Sequence, residues 1–164
     1  MSKVCVVYGS SMGNTEEAAN LIAAELGVDD IYNIGSTSAD VLNGYDKLVI
    51  GTSTWGNGDL QDEWDSFDID SIDVKGKTIA LFGMGDSSSY SDTYCNAMGI
   101  LYDKFSANGA KIVGAVSTDG YEFDESNAVR KGKFVGLALD ADNQSDLTES
   151  RIKAWVEQIK PDLA

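Results

Sequence analysis

The segment Val4-Cys5-Val6-Val7-Tyr8-Gly9-Ser10-Ser11-Met12-Gly13-Asn14-Thr15 is the most informative part of the sequence for the architecture of this chain. An apolar strand runs directly into a small, hydroxyl-rich loop, and residues 16–26 then favour a helix. Such a unit can hold a phosphate through backbone N–H groups, hydroxyls and the positive end of the helix. The loop has no Lys or Arg, which favours a permanently seated phosphomonoester over a hydrolysed ATP or GTP. The alternative is an ordinary turn in which Thr15 caps the helix.

The size and composition of the chain predict one soluble domain over residues 1–164. The chain is 43% apolar and 24% charged, which is normal for a globular protein. It has no apolar run long enough to span a membrane and no signal-peptide core at its start, so we expect a cytoplasmic location. Two distant cysteines and the absence of histidine disfavour a zinc site and His-based catalysis.

The charge balance of the chain points to the kind of partner it meets. Twelve basic and 27 acidic residues give a net charge of −15, which would repel nucleic acid and anionic membranes and would suit a basic protein partner. One run of carboxylates contains no Lys or Arg between Lys47 and Lys75. Its members are Asp59, Asp62, Glu63, Asp65, Asp68, Asp70 and Asp73. The run is either a docking face or a merely solubilising surface.

Short apolar runs alternate with helical patterns along the chain, which predicts a parallel sheet covered by helices. The predicted strands are Lys3 to Tyr8, Asp30 to Ile34, Lys47 to Gly51, Thr78 to Gly83 and Lys111 to Val116. The polar stretch from Ser117 to Lys133 predicts a loop of 17 residues that interrupts or follows the fifth strand. In the last helix, the spacing of Asp146 and Glu149 predicts an N-terminal cap, and Pro161 predicts the end.

Three loops are expected at the carboxyl ends of the strands, where ligands bind in such sheets. They are Ser10 to Thr15, Thr52 to Gly58 and Gly83 to Asp92. Trp55 and Tyr90 stand among small residues in the second and third loops, which favours a clamp that stacks on a flat heteroaromatic ring. The alternative is that both rings fold back on the core.

The chain resembles the flavodoxins over essentially its whole length. The motifs that carry the resemblance are Ser10-Ser11-Met12-Gly13-Asn14-Thr15, Thr54-Trp55-Gly56-Asn57-Gly58, Gly85-Asp86 through Tyr90 to Tyr94, Ser117-Thr118-Asp119-Gly120-Tyr121, and Gly132 to Asp140. The resemblance implies the α/β flavodoxin-like fold, a doubly wound three-layer sandwich. Its five-stranded parallel sheet has the order 2-1-3-4-5, for which flavodoxin is itself a standard example. The insertion is similar to that of the long-chain members and would split the fifth strand.

The resemblance also implies an FMN site and the residues that form it. The phosphate would lie on Ser10, Ser11, Met12, Gly13, Asn14 and Thr15; the flavin loops would supply Ser53, Thr54, Trp55, Gly56, Asn57 and Gly58, then Gly85, Asp86, Tyr90, Asp92 and Tyr94, with Asp142 beyond them. Met12 departs from the family, which usually has Thr or Ser there. One side-chain donor to the phosphate is thereby absent.

The implied function is that of a low-potential, one-electron carrier with tightly bound FMN, cycling mainly between semiquinone and hydroquinone. Its partners would be basic-faced redox proteins, a reductase or other donor and an acceptor oxidoreductase, which dock near Trp55 and Asp59, Asp62, Glu63 and Asp65. We expect a monomer that is not an enzyme and that binds neither nucleic acid nor membrane. An FMN-dependent NAD(P)H:quinone reductase is the alternative. A response-regulator receiver is disfavoured, because Gly9-Ser10 and Ser53-Thr54 stand where its acidic residues belong.

Overall fold

A computed structural model describes residues 4–9, 14–55, 59–60, 64, 71–84, 95–118, 121, 126, 128–130, 132–140 and 145–163. The strands are β1 (Val4–Gly9), β2 (Ile31–Asn33), β3 (Lys47–Trp55), β4 (Asp59–Leu60), β5 (Thr78–Met84), β6 (Lys111–Val113), β7 (Val116–Ser117), β8 (Val129–Arg130), β9 (Lys133–Phe134) and β10 (Leu137–Leu139). The helices are α1 (Asn14–Leu26), α2 (Ala39–Leu42), α3 (Asn96–Ala107) and α4 (Ser145–Leu163), with a 3₁₀ helix at Ile34–Ser36.

The central sheet is parallel, with its strands in the order β2-β1-β3-β5-β10. β6 pairs with the amino half of β5 at Thr78–Ala80, and β10 pairs with its carboxyl half at Phe82–Met84. Two separate segments of the chain thus share the outermost strand position beside β5. The predicted order and the split fifth strand are confirmed.

The segment between the two halves of the fifth strand is more regular than predicted. Within the predicted loop Ser117 to Lys133 and at its borders, β7, β9 and β8 form a small antiparallel sheet in that order. The expectation of a plain loop was therefore wrong. The pairing gives this polar stretch backbone hydrogen bonds that an unstructured loop would leave to water.

Helices cover both faces of the sheet, because strands such as β1 are apolar at successive positions and so present apolar side chains on both sides. Successive residues of β1 point to opposite sides, so Cys5 and Val7 join a core beneath α3 while Val6 and Tyr8 join a core beneath α1 and α4. The first core contains Met98, Leu101 and Phe105 of α3. The second contains Ala18 and Ile22 of α1 and Ile152, Trp155, Val156 and Ile159 of α4.

The helix ends agree with the sequence in part. Gly27 and Gly109 follow α1 and α3 with φ of 72° and 93°, a conformation that favours glycine. The two expectations for the last helix were wrong: it begins at Ser145, before Asp146, and it continues through Pro161 to Leu163. Glu149 instead pairs with Lys153 at 3.2 Å, one helical turn away.

Two glycines allow close packing within the sheet. A Cβ atom on Gly51 would collide with the ring of Phe82, and one on Gly136 would collide with the backbone of Leu81. In the part of the chain that the structure describes, none of the helices combines the length and apolar character needed to cross a membrane.

Candidate functional site

The carboxyl ends of four parallel strands lie along one end of the sheet, called the carboxyl edge below; the end at which the strands begin is the opposite edge. β1 ends at Gly9, β3 at Trp55, β5 at Met84 and β10 at Leu139. Because these strands are parallel, the segments that follow them emerge on the same side of the molecule. Each predicted site residue lies near one of these strand ends in the sequence. The structure thus places the described borders of all three predicted loops at one edge.

The first border is the junction between β1 and α1. Asn14 is the first residue of α1, and Thr15, the next, is 0% exposed. Within the described part of the chain, the buried Oγ1 atom of Thr15 has no hydrogen-bond partner. Thr15 therefore does not cap the helix with its side chain. The hydroxyl is a donor without an acceptor beside the positive end of α1. Ser10, Ser11, Met12 and Gly13 lie outside the described residues.

The second border is formed by two antiparallel strands. β3 is longer than predicted and pairs with β4, with Thr54 opposite Leu60 and Trp55 opposite Asp59. The predicted first flavin loop therefore departs from and returns to neighbouring positions of the sheet. The side chains of Ser53, Thr54 and Trp55 lie outside the described part, as do the whole of residues 56–58, with Gly56, Asn57 and Gly58.

Trp64 follows β4 within the acidic run of the sequence and was not among the predicted site residues. The side chain is 0% exposed, and its indole N–H donates a 2.8 Å hydrogen bond to the carbonyl oxygen of Gly51. Its ring meets that of Phe105 edge to face, with centroids 6.5 Å apart. Asp62, Glu63 and Asp65 neighbour this buried residue in the sequence and lie outside the described residues.

The third border surrounds the predicted second flavin loop, whose Gly85, Asp86, Tyr90, Asp92 and Tyr94 lie outside the described residues. Cys95 follows this segment directly and is fully buried. Its thiol is 3.8 Å from the carbonyl oxygen of Gly83 and 4.0 Å from that of Leu139, and it can donate to either. A single side chain therefore links the two ends of the segment to each other and to β10. Cys95 also adopts a left-handed conformation, with φ of 54°.

The end of β10 carries a buried carboxylate, Asp140, which is 0% exposed. Asp142, the nearby residue implied by the resemblance, lies outside the described part. With Thr15 and Thr52, Asp140 completes the three buried polar residues of the described chain. All three stand at or just beyond the carboxyl end of the sheet, where polar ligands are expected.

Tyr121 connects the insertion to β10 near the carboxyl edge. Its hydroxyl donates a 2.7 Å hydrogen bond to the carbonyl oxygen of Ala138 in β10. Its ring lies edge to face against Phe134, and the guanidinium of Arg151 sits 3.9 Å from the ring centre. Burial raises the pKa of Tyr121 to about 12, and the charge of Arg151 acts in the opposite direction. The phenol therefore remains a hydrogen-bond donor at neutral pH.

The outer surface of α1 beside this edge is acidic. Glu16 and Glu17 are exposed in its first turn. Together with Asn20 and Leu21 they line a shallow, open depression of about 350 Å³. A depression this open does not enclose a small molecule, so the carboxylates belong to the surface and not to the predicted ligand site.

Comparisons with known proteins agree with this geometry. Residues 6–155 match the family model described as Flavodoxin. The flavodoxin of Synechocystis sp. is 49% identical, with 98% of each chain covered, and Flavodoxin 1 of Azotobacter vinelandii is 44% identical, with 95% of this chain and 94% of that protein covered. The solved structure of Fusobacterium nucleatum flavodoxin bound to flavin mononucleotide superposes with a TM-score of 0.92 at 30% identity, and 100% of both chains is covered.

Proposed function

This chain belongs to the flavodoxin family, and from that premise we propose that it is a low-potential one-electron carrier with tightly bound FMN. As a flavodoxin it is an electron-transfer protein rather than an enzyme. The observation that supports the FMN site in this chain is the buried hydroxyl of Thr15, which has no partner among the described residues. A buried, unpaired hydroxyl is unfavourable unless a ligand supplies the missing acceptor.

The residues at the carboxyl edge fit the parts of FMN. Thr15 can donate to a phosphate oxygen at the positive end of α1, beside the hydroxyls that the sequence places at Ser10 and Ser11. Trp55 and Tyr90 would hold the ring, and Cys95 holds together the described ends of the segment that contains Tyr90. When bound, FMN supplies the redox chemistry by accepting and releasing electrons one at a time.

The negative charge of the protein favours a low potential. A carboxylate about 12 Å from the flavin would oppose the anionic, fully reduced form by about 0.3 kcal/mol, or about 15 mV for one electron. With a net charge of −15, several such contributions add. The proposed working couple is therefore the one between semiquinone and hydroquinone, which these carboxylates make strongly reducing.

The same charge defines the proposed partners. Basic-faced redox proteins would dock near Trp55 and the acidic run that contains Trp64, including Asp59, Asp62, Glu63 and Asp65. Glu16 and Glu17 in the first turn of α1 add two exposed carboxylates to the total negative charge. Opposite charge speeds encounter and is screened by salt. The proposal includes a monomeric state, because a transient carrier must leave its docking face free. It also includes a cytoplasmic location.

The decisive experiment is a binding and redox titration of the purified protein. We expect the absorption of oxidised flavin, recovery of that spectrum when FMN is added to apoprotein, and stepwise reduction by dithionite. Thr15→Val should raise the Kd for FMN by about 10- to 100-fold, the cost of one hydrogen bond to a charged group, while Thr15→Ser should retain most of the affinity. A protein that takes up no FMN would refute the proposal. Rapid steady-state NADPH oxidation with a quinone would favour the reductase instead.

A further inference from the structure

Two buried hydroxyl oxygens in the described part of the chain have no hydrogen-bond partner: Oγ1 of Thr15 and Oγ1 of Thr148. The proposed function accounts for the first. The second belongs to α4, and neither the sequence motifs nor the resemblance assigns it a role. A Thr in a helix ordinarily points its hydroxyl to solvent or to a backbone carbonyl, so a buried and unpaired one calls for an explanation.

Thr148 lies in the first turn of α4, on the face of the helix that meets the sheet. It precedes Ile152 by four positions and Trp155 by seven, and both of these side chains are buried. Residues at this spacing share one side of a helix. The hydroxyl is therefore directed inward by the same stripe that fixes α4 on the core.

Thr15 occupies the equivalent place on α1. It precedes Ala18 and Ala19 by three and four positions and Ile22 by seven, and these three side chains are buried in the core that α1 shares with α4. The two helices also pack directly against each other. Both unpaired hydroxyls thus stand at the first turn of neighbouring helices, on their inward faces.

Both first turns lie at the carboxyl edge of the sheet. α1 follows β1, and α4 follows β10; the two strands run parallel within one sheet. The positive ends of both helix dipoles therefore point to the edge at which the FMN site is proposed. Two buried donors and two positive helix ends at one edge suit a ligand with several oxygens and a negative charge.

We propose that the hydroxyl of Thr148 is a further FMN contact, on the hydroxylated, phosphate-bearing chain of the cofactor. This inference rests on the proposed function, because it takes FMN as the ligand. Thr148 would act on affinity and placement, while the flavin ring is held elsewhere. The contact satisfies a donor that the described protein leaves unpaired, so its loss should weaken binding without weakening the apoprotein.

The test compares wild-type protein with Thr148→Val, which keeps the shape and removes the hydroxyl, and with Thr148→Ser, which keeps the hydroxyl. Thr78→Val, at the start of β5 and hence at the opposite edge, is the matched control. Quenching of flavin fluorescence gives the Kd for FMN and for riboflavin, and thermal unfolding gives the Tm of each apoprotein. Thr148→Ala serves as a second deletion should Thr148→Val not fold.

We expect Thr148→Val to raise the Kd for FMN about tenfold and to leave the apoprotein Tm unchanged or higher, while Thr148→Ser and Thr78→Val stay within about twofold of wild type. A loss with FMN alone assigns the contact to the phosphate, and an equal loss with riboflavin assigns it to the ribityl hydroxyls. An unchanged Kd in Thr148→Val overturns this inference and leaves the proposed function standing. A raised Kd that is accompanied by a lower apoprotein Tm does the same. Wild-type protein that binds no FMN overturns the proposed function with it.

Discussion

The hydroxyl of Tyr121 donates a 2.7 Å hydrogen bond to the carbonyl oxygen of Ala138, and this bond joins the insertion to the sheet that the insertion interrupts. A second tie joins the insertion to α3, where Arg130 of β8 binds both carboxylate oxygens of Asp103 at 2.8 and 3.1 Å. The insertion therefore spans from one helical layer to the edge strand and is part of the folded domain.

Tyr121→Phe should lower the free energy of unfolding by about 1–2 kcal/mol, because it leaves the carbonyl of Ala138 without its donor and keeps the ring against Phe134 and Arg151. Urea unfolding of the apoprotein measures the change. Tyr102→Phe, which deletes a hydroxyl on α3 and keeps the ring beside Arg130, is the control and should cost less. Equal effects in the two variants would contradict a specific role for the Tyr121 hydroxyl.

Asp103→Asn should destabilise the protein at neutral pH and not in acid. Arg130 holds the pKa of Asp103 below its ordinary value. A lowered folded-state pKa stabilises the protein above the unfolded pKa, and that stabilisation is lost as the pH falls through the lowered value. Because the two side chains are 33% and 56% exposed, the loss at pH 7 should be about 0.5–1 kcal/mol.

Urea unfolding of this variant at successively lower pH is the measurement. The exposed pair of Glu149 and Lys153 provides the comparison, since Glu149→Gln removes a single contact within one helix and should cost about 0.3–0.5 kcal/mol. A difference between wild type and Asp103→Asn that stays constant into acid would show that the carboxylate charge is not what matters.

The thiol of Cys5 should be protected until the protein unfolds. Burial raises its pKa to about 12, with Asp30 adding to the shift and Lys77 opposing it. Labelling of the native protein by a thiol reagent should therefore track the unfolding rate. A raised folded-state pKa also predicts that stability present below the unfolded value of about 8.5 is lost above it, by up to about 1.4 kcal/mol per pH unit. Cys5→Ala should flatten that alkaline decline.

Trp64→Phe and Trp155→Phe form a matched pair. Each indole is buried and donates a 2.8 Å hydrogen bond to a glycine carbonyl, Gly51 for Trp64 and Gly114 for Trp155. Both changes should cost about 1–3 kcal/mol of stability. Since Trp64 stands between Glu63 and Asp65 of the proposed docking surface and Trp155 lies on α4, only the replacement of Trp64 should slow electron exchange with a basic partner at low salt. Stopped-flow kinetics with a cationic cytochrome would decide this, and equal rates in both variants would contradict it.

Neutralising Asp59, Asp62 and Glu63 together should raise the potential of the low-potential couple, by about 15 mV for each carboxylate about 12 Å from the flavin, and should slow exchange with a basic partner. The control removes three exposed carboxylates at or near the opposite edge, Asp29, Asp40 and Asp46, and changes the net charge equally. Spectroelectrochemistry at low and high salt measures both proteins. Identical potentials would mean that only the total charge matters.

The sequence predicted those parts of the fold that rest on local pattern. Apolar runs marked β1, β2, β3, β5 and β6, and periodic stripes such as Ile152, Trp155 and Ile159 marked the buried helix faces. The second half of the split fifth strand, β10, was expected from the resemblance. The prediction of the end of α4 was wrong because it relied on one residue, Pro161. Pro161 forbids its own N–H bond but sits in the last turn of α4, where the helix can still reach Leu163.

The candidate site was predicted through the resemblance and only in part through physical pattern. Thr15 stood in the quoted loop, but its buried and unpaired state depends on how α1 packs. Trp64 was missed because its neighbours are carboxylates, which gives no periodic signal for a core residue. The thiol of Cys95 and the hydroxyl of Tyr121 act across 12 and 17 positions of the chain, and such contacts become visible only when the strands are in place.

Synthesis from the amino end leaves one face of the sheet only partly covered until α4 has been made. A nascent chain that has reached Val113 already carries β1, β2, β3, β5 and β6, and α3 can cover one side. On the opposite side α1 is present but α4 is not, so Phe82 lacks its edge-to-face contact with Trp155, while domains otherwise begin to fold as they emerge from the ribosome. A chain stalled before residue 145 should therefore recruit chaperones through the α1 side of its sheet.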